Sequence, residues 1–454
     1  MEIKIAYIGG GSRHWARSFM SDLALDNELS GEIRLYDIDM DAAKCNEIIG
    51  NRMTKDPQSV GKWKYKAVEN LSEALIEADF VIISILPGTL ENMSIDVHLP
   101  ERLGIYQSVG DTVGPGGIIR ALRTIPPYIE FAEAIKAYAP SAWVINYTNP
   151  MSLCIRTLYH IFPEIKAFGC CHEVFGTQQL LTAMINEETG IQPNRDEIYT
   201  NVIGLNHFTW FDKATYQDIN LIDLFSRFVE KYPIEGYKSD NFDEYMKFFS
   251  SRNLVKFDLF KKYGIIAAAG DRHLAEFMPG DIYLKNPETV SEKYKFYITP
   301  VSWRINDRNE KIEQTKRLVA GEEEIKFIKS GEEGVLLIKA LCGLTRVISN
   351  VNLPNSMLQI HNLPPETVVE TNAIFSKDDV RPVSAGVLPD DILTLIKPHV
   401  ENQTTVLNAA LTYDYSLLYE AFERDPLVAG RSSMTNIRFL VDDMIKETVG
   451  NITK

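Results

Sequence analysis

Residues 167–173 read AFGCCHE, an apolar, strand-like run that ends on two adjacent cysteines, a histidine and a glutamate. Thiolates and imidazoles are the side chains that ligate transition metals and move protons near neutral pH. Cys171 and His172 are therefore candidates for chemistry, and His207 in GLNHFTW is a third. Spacing alone does not join them, because no tight ligand cluster exists in the sequence. On residues alone, Cys171 reads as a buried thiol and His207 as a satisfied core histidine. Cys170 alternates to the other face of its strand.

A second group of residues points to a nucleotide. Gly9, Gly10, Gly11 and Ser12 follow the strand-like IKIAYI and precede RHWARSFMSDLAL, where Trp15, Phe19 and Leu23 recur at i, i+4 spacing. A glycine turn between a strand and a helix lets the backbone approach a pyrophosphate, and the helix N-terminus offers it N–H groups. His14 takes the place of the third glycine in the usual pattern. Asp37 closes the second strand, EIRLYDID. A carboxylate there accepts from ribose hydroxyls and repels the extra phosphate of NADP, so NAD is the expected cofactor.

The elements that must hold these residues alternate. FVIIS, AWVINYTNP and IKAFGCCHE are further strands separated by helical stretches, which implies a doubly wound parallel sheet. After GIQPNRDEI the pattern changes: IYTNVIGLNHFTWFDKATY reads as a strand pair and much of the remainder as helix. The expected architecture is α/β, an N-terminal Rossmann-like NAD-binding domain over 1–195 and a C-terminal α+β substrate domain over 196–454. The acidic stretch from GEEEIKF to GEEG reads as a solvated face.

Composition sets the limits. The 454 residues exceed one ordinary core. A net charge of −15 disfavours a nucleic-acid partner, and no apolar run is long enough to span a bilayer. MEIKIAYIGG enters a strand pattern directly, without a leader signature, so a cytoplasmic setting is expected. Five cysteines, an odd number in a large chain, read as reduced thiols.

By INYTNPMSLC (Ile145 to Cys154) the chain resembles two relatives on one scaffold, the malate and lactate dehydrogenases and glycoside hydrolase family 4, the NAD- and metal-dependent glycosidases. SVGDTVGPGGIIRALRTIP, CCHEVFGTQ and GLNHFTW favour the second, with VNLPN, IHNLPPETVVETN and AFERDPLV extending the resemblance over essentially the whole chain. The dehydrogenases' arginine-rich substrate loop and His-Gly segment are missing. CHEV (Cys171 to Val174) resembles the α-galacturonidase subgroup.

The resemblance implies that Cys171 and His207 are metal ligands, with Mn²⁺ as the ion. Thiolate and imidazole alone would favour Zn²⁺. It further implies hydrolysis through transient oxidation. An ordinary C2 proton is not acidic, but a ketone at C3 makes it so, and the C1 substituent can then be eliminated. Asp271 in GDRHLAEF matches the C2 base, with Tyr263 as an alternative. His172 stands where several relatives carry an acidic general acid. Asn149 is placed to touch nicotinamide and sugar, and Asp111 to accept from a sugar hydroxyl. Met93 occupies the position of the arginine that serves phosphosugars, three residues before Asp96. That absence argues against a phosphosugar and permits a uronate, which the CHEV resemblance mainly suggests, with Arg272, His273 or Arg304 as donors to its carboxylate. The expected substrate is an α-galacturonide; α-glucuronides, α-galactosides, α-glucosides and a simple 2-hydroxyacid dehydrogenase stay open. A homo-oligomer, dimer or tetramer, is implied by analogy.

Overall fold

The computed structural model describes residues 1–238 and 247–450. Its strands are β1 (Glu2–Ile8), β2 (Ser30–Tyr36), β3 (Lys62–Val68), β4 (Phe80–Ile83), β5 (Trp143–Asn146), β6 (Lys166–Gly169), β7 (Tyr199–Leu205), β8 (Phe208–Tyr216), β9 (Ile219–Asn220), β10 (Ile266–Ala267), β11 (Val347–Pro354), β12 (Val368–Ser376) and β13 (Asp379–Pro382). All belong to one sheet, ordered β10-β8-β7-β12-β11-β6-β5-β4-β1-β2-β3, with β9 on β8 and β13 on β12.

The fold is α/β. Strands β1 to β6 are parallel in the order 3-2-1-4-5-6, so the strand order reverses between β1 and β4. At such a reversal the flanking connections diverge and leave a crevice at the carboxyl ends of the strands. The central strands are apolar throughout, as burial on both faces requires: every residue of β4 (FVII) is buried.

The second half of the sheet is antiparallel. It joins the first at the single pair Asn352↔Gly169. A Cβ at Gly169 would come within 2.5 Å of the Met151 sulfur, so the seam needs glycine. Two positions later comes Cys171. β11 and β12 fall in the stretch expected to be mostly helical. β11 buries Ser349 to Leu353 and β12 Val368 to Thr371 without a break, polar residues among them, so no clean apolar alternation marks them as strands. Among the described residues, no helix is long and apolar enough to cross a membrane.

The long helix Gly114–Tyr138 carries the loop that precedes it into the crevice. Beneath it, Arg123 forms a two-point ion pair with Asp96 of the helix Leu90–His98, one contact at 3.2 Å. Both side chains are buried. Removing one member of a buried pair strands the other charge. Asp96→Ala is expected to cost about 3–5 kcal/mol, read as a lowered urea midpoint at unchanged slope. A variant within about 0.5 kcal/mol of the parent would show that Arg123 finds water instead.

Candidate active site

At the carboxyl end of β1 the glycine turn is drawn tight. The Gly9 and Gly10 N–H groups both donate to the Tyr36 carbonyl at 2.9 Å, and Ser12 N–H closes the turn onto Gly9 O at 3.0 Å. Gly9 sits at φ +91°, and a Cβ there would lie 2.0 Å from the Ser84 carbonyl oxygen. Asp37 accepts from the Gly11 N–H at 2.8 Å and the Asp39 N–H at 2.9 Å, which fixes its carboxylate at the end of β2. Asn46, which sequence reasoning did not single out, donates to the carbonyls of Gly10 and Ser12 at 2.8 and 2.9 Å. His14 stands at the N-cap position of the helix Trp15–Ala24 without a side-chain capping bond, and the Trp15 ring stacks on Tyr147 at 5.8 Å. Asn149 lies in the loop after β5. Its backbone carbonyl accepts from Arg120 Nε at 3.2 Å, while its buried Oδ1 has no hydrogen-bond partner. That orphaned oxygen is what a nicotinamide or sugar donor would satisfy.

The loop before the long helix brings Asp111 and Thr112 to the same crevice. Cβ atoms at Gly116 and Gly117 would lie 2.5 Å from the Gly110 carbonyl oxygen and 2.4 Å from the Thr112 carbonyl carbon, so only glycine lets the loop fold onto the first helical turn. Three side chains clamp it: Glu276 accepts from Val109 and Gly110 N–H at 2.6 and 2.9 Å, Gln107 from Gly116 N–H at 2.8 Å, and Asp425 from Gly114 N–H at 3.0 Å. From the other side, residues 206–207 make the two-residue connection between paired Leu205 and Phe208. His207 takes φ +64° there, a left-handed conformation in which histidine is enriched over most side chains.

These elements assemble a cluster. Ligand atoms of Asp111, His207 and His273 lie within 4.8 Å of one another. The His207 and His273 rings stack at 3.7 Å. Thr112 Oγ1 donates to Asp111 Oδ1 at 2.7 Å and lies 2.8 Å from His207 Nδ1. A hydroxyl has one proton, so with that proton on Asp111 it must accept from Nδ1–H. The His207 Nε2 lone pair is thereby left for a cation. Burial, with His273 beside it, pushes His207 down to about 3 and keeps it neutral. Burial works against the charge on Asp111, and His273 and His207 when protonated, Arg120 and the Thr112 hydroxyl lower its carboxyl. With the imidazoles neutral, the guanidinium of Arg120 is the permanent cation in that balance. An ionised carboxylate and a neutral His207 imidazole suit a divalent ion, and the buried His273 Nδ1 beside them has no hydrogen-bond partner.

Cys171 is buried at the seam, outside that three-residue cluster. Burial, then Glu370 and Glu173, raise its thiol well above the ordinary value, and the Asn206 side chain adjoining His207 lies beside it. Cys170 packs into the core on the β2 side of the sheet and Cys171 into the core beneath the helix Met151–Ile161. His172 remains 52% exposed, with Nδ1 2.9 Å from Glu332 Oε1. Burial works to lower it, but Glu332, then Glu173 and Glu370, raise it to about 9. Glu332 and Glu333 belong to the acidic stretch expected to be a solvated face. Glu333 instead pairs with Arg195 and accepts from Ser349. The contact of Glu333 with Arg195, 138 residues away, leaves no local signal.

The remaining expected residues divide. Asp271 is fully buried at the start of the helix Asp271–Glu276, its oxygens accepting from Lys256 N–H and Ser251 Oγ at 3.0 Å each. His273 lies two positions on, rotated about 200° around the helix axis, and faces Glu173 at 3.6 Å and the cluster. Arg272 donates to Ser108 O at 2.8 Å and to Thr299. Arg304, in the first turn of the helix Val301–Ala320, lies over Phe249 at 5.8 Å. Tyr263 packs edge-on against Trp210 at 5.9 Å.

Two tests follow from the geometry. Thr112→Val removes the acceptor that sets the His207 tautomer and is expected to weaken Mn²⁺ binding about 10–100-fold with NAD affinity unchanged, whereas Thr112→Ser retains binding; equal affinities in calorimetry would exclude the tautomer argument. The His172–Glu332 pair raises the imidazole above its usual value, so its stabilisation is complete below about pH 6.5 and lost as pH rises through about 9. Glu332→Gln is expected to move the His172 NMR titration downward, and an unmoved midpoint would mean the contact is absent in solution.

The Family 4 glycosyl hydrolase profile matches residues 4–187, and the Family 4 glycosyl hydrolase C-terminal domain profile matches 202–428. The chain is 55% identical over 454 residues to an alpha-galacturonidase of Lachnoclostridium phytofermentans, covering 100% of this chain and 97% of that one. Among solved structures, a putative glucosidase from Bacillus subtilis superposes with a TM-score of 0.92 at 52% identity, covering 98% and 100% of the two chains. A 6-phospho-alpha-glucosidase from gut microorganisms, solved with NAD and Mn²⁺, shares the fold at a TM-score of 0.82 and 19% identity over 98% of each chain. With both profiles and a relative of that identity spanning its length, the chain belongs to glycoside hydrolase family 4.

Proposed function

We propose that this protein is an α-galacturonidase, hydrolysing α-linked galacturonides with NAD and Mn²⁺. The observation that carries the chemistry is the Asp111–His207–His273 cluster lying with the open Asn149 amide in the crevice beside the glycine turn. The substrate rests on the alpha-galacturonidase relative and the CHEV segment. When bound, NAD⁺ takes up and returns a hydride at C3 while the divalent ion polarises the C3 oxygen, so that C2 becomes acidic.

The chain's own residues supply the rest. Gly9, Gly10, Gly11 and Ser12 receive the pyrophosphate, Asp37 the ribose and Asn149 the nicotinamide and sugar edge. His207 and Cys171 hold the ion, with Asp111 in reach of it and of a sugar hydroxyl. His172, kept protonated by Glu332, donates to the departing C1 oxygen. For the C2 proton there are two candidates in one helical turn. Both Asp271 oxygens are taken by Lys256 N–H and Ser251, whereas His273 Nδ1 is unpartnered, and this favours His273. The division near residue 195 into a nucleotide part and a substrate part is retained, supported by the change from parallel to antiparallel pairing. The five free thiols suit a cytoplasmic, reducing setting. A homo-oligomer completes the reading, tested by sedimentation.

Turnover of p-nitrophenyl α-galacturonide with NAD⁺ and Mn²⁺ in D₂O is expected to place deuterium at C2 of the product without accumulating NADH. An unlabelled C2 contradicts elimination, and stoichiometric NADH supports a dehydrogenase. Replacing the base is expected to lower kcat by roughly 10²–10⁴-fold. That loss in His273→Gln with Asp271→Asn near parental rate supports His273, and the reverse assigns the proton to Asp271.

A further inference from the structure

Two arginines on one wall of the crevice make no ion pair among the described residues. Arg272 and Arg304 approach the same ring, Phe249, with guanidinium carbons 5.1 and 5.8 Å from its centroid. Arg272 is held from behind, by the Ser108 carbonyl and by Thr299, which sits two residues before the helix that bears Arg304. Its buried Nε has no hydrogen-bond partner. Arg304 makes no hydrogen bond or ion pair among the described residues. The neighbouring acids act on them through space and form no ion pair with them: Glu276, whose Oε1 accepts from Val109 and Gly110 N–H, Glu173 and Asp111 on Arg272, and Asp111 and Asp307 on Arg304. Two like charges flank one ring without an ion pair, Arg272 buried and Arg304 partly so; burial and then Arg304 lower the affinity of Arg272 for its proton, and burial lowers that of Arg304. An anion between them relieves both.

The position also fits the sugar. Arg272 immediately precedes His273 of the metal-side cluster, and Asp111 of that cluster feels the Arg304 charge without bonding it. A pyranose whose C2–C3 edge faces the cluster turns its C5 substituent to the opposite side of the ring, away from the cluster.

We propose that Arg304, together with the free Nε of Arg272, forms the subsite that holds the C6 carboxylate of a uronide, Arg304 supplying the charge and Arg272 a fixed donor. This deepens the hydrolase reading and rests on it. A planar guanidinium suits a planar carboxylate, and it has no matching partner in a neutral CH₂OH group.

The test compares p-nitrophenyl α-galacturonide with p-nitrophenyl α-galactoside, using the full-length enzyme with NAD⁺ and Mn²⁺. Arg304→Met keeps the volume and removes the charge. It is expected to lower kcat/KM for the uronide about 100-fold while the galactoside changes by less than about threefold, with Arg304→Lys between. Calorimetry with galacturonate is expected to show the same loss in affinity, and NAD affinity stays parental, which excludes general misfolding. An unchanged uronide-to-galactoside ratio with unchanged galacturonate binding would overturn the subsite. If the parent enzyme turns over no uronide, the substrate reading fails by itself, and the galacturonate titration of parent and Arg304→Met still decides the subsite.

Discussion

A carboxylate and two imidazoles removed together from bulk water are the condition this structure is built to meet. Each ionised group taken from water needs a compensating charge or hydrogen bond, or it neutralises. Asp111 remains ionised because Thr112 donates to it and Arg120 stands near; His207 remains neutral because burial disfavours its cation. The same Thr112 oxygen serves both neighbours and assigns each ring nitrogen its role. If the hydroxyl turned the other way, His207 would offer Nδ1 to it and hold its proton on Nε2, where a cation has to bind.

That condition explains the construction around it. The Gly114–Gly117 segment folds the loop so closely that no side chain fits, and Glu276, Gln107 and Asp425 take up the backbone N–H groups that such a turn exposes. Two of these clamps are buried acids, raised by burial to about 7, that stay in place because each accepts from backbone N–H. They come from opposite ends of the second half of the chain and bind one loop of the first. The active crevice is therefore not the property of either half.

The seam has a similar logic. The sheet passes from parallel to antiparallel at one residue pair, Asn352↔Gly169, and the chain leaving β6 there delivers Cys171 and His172 between the glycine turn and the His207 hairpin. His172 then meets Trp15 of the nucleotide helix at 6.1 Å and Glu332 of the acidic strap at 2.9 Å. A ring anchored on one side and ion-paired on the other is oriented before any substrate arrives, which limits the ordering cost of catalysis.

The sequence by itself determined the parts whose physics is local. A glycine turn between an apolar strand and an amphipathic helix, an acid ending the next strand and strands alternating with helices specify the nucleotide half, because backbone freedom and periodicity act over a few residues. The tertiary structure alone decided which polar groups meet. Thr112 with His207, Glu332 with His172, Asp425 with Gly114 and the shared ring between Arg272 and Arg304 join segments 30 to 310 residues apart. It also turned Asp271 inward and His273 toward the cluster, although the two are nearly adjacent. Electrostatic partnership falls off with distance in space, and distance along the chain does not report it.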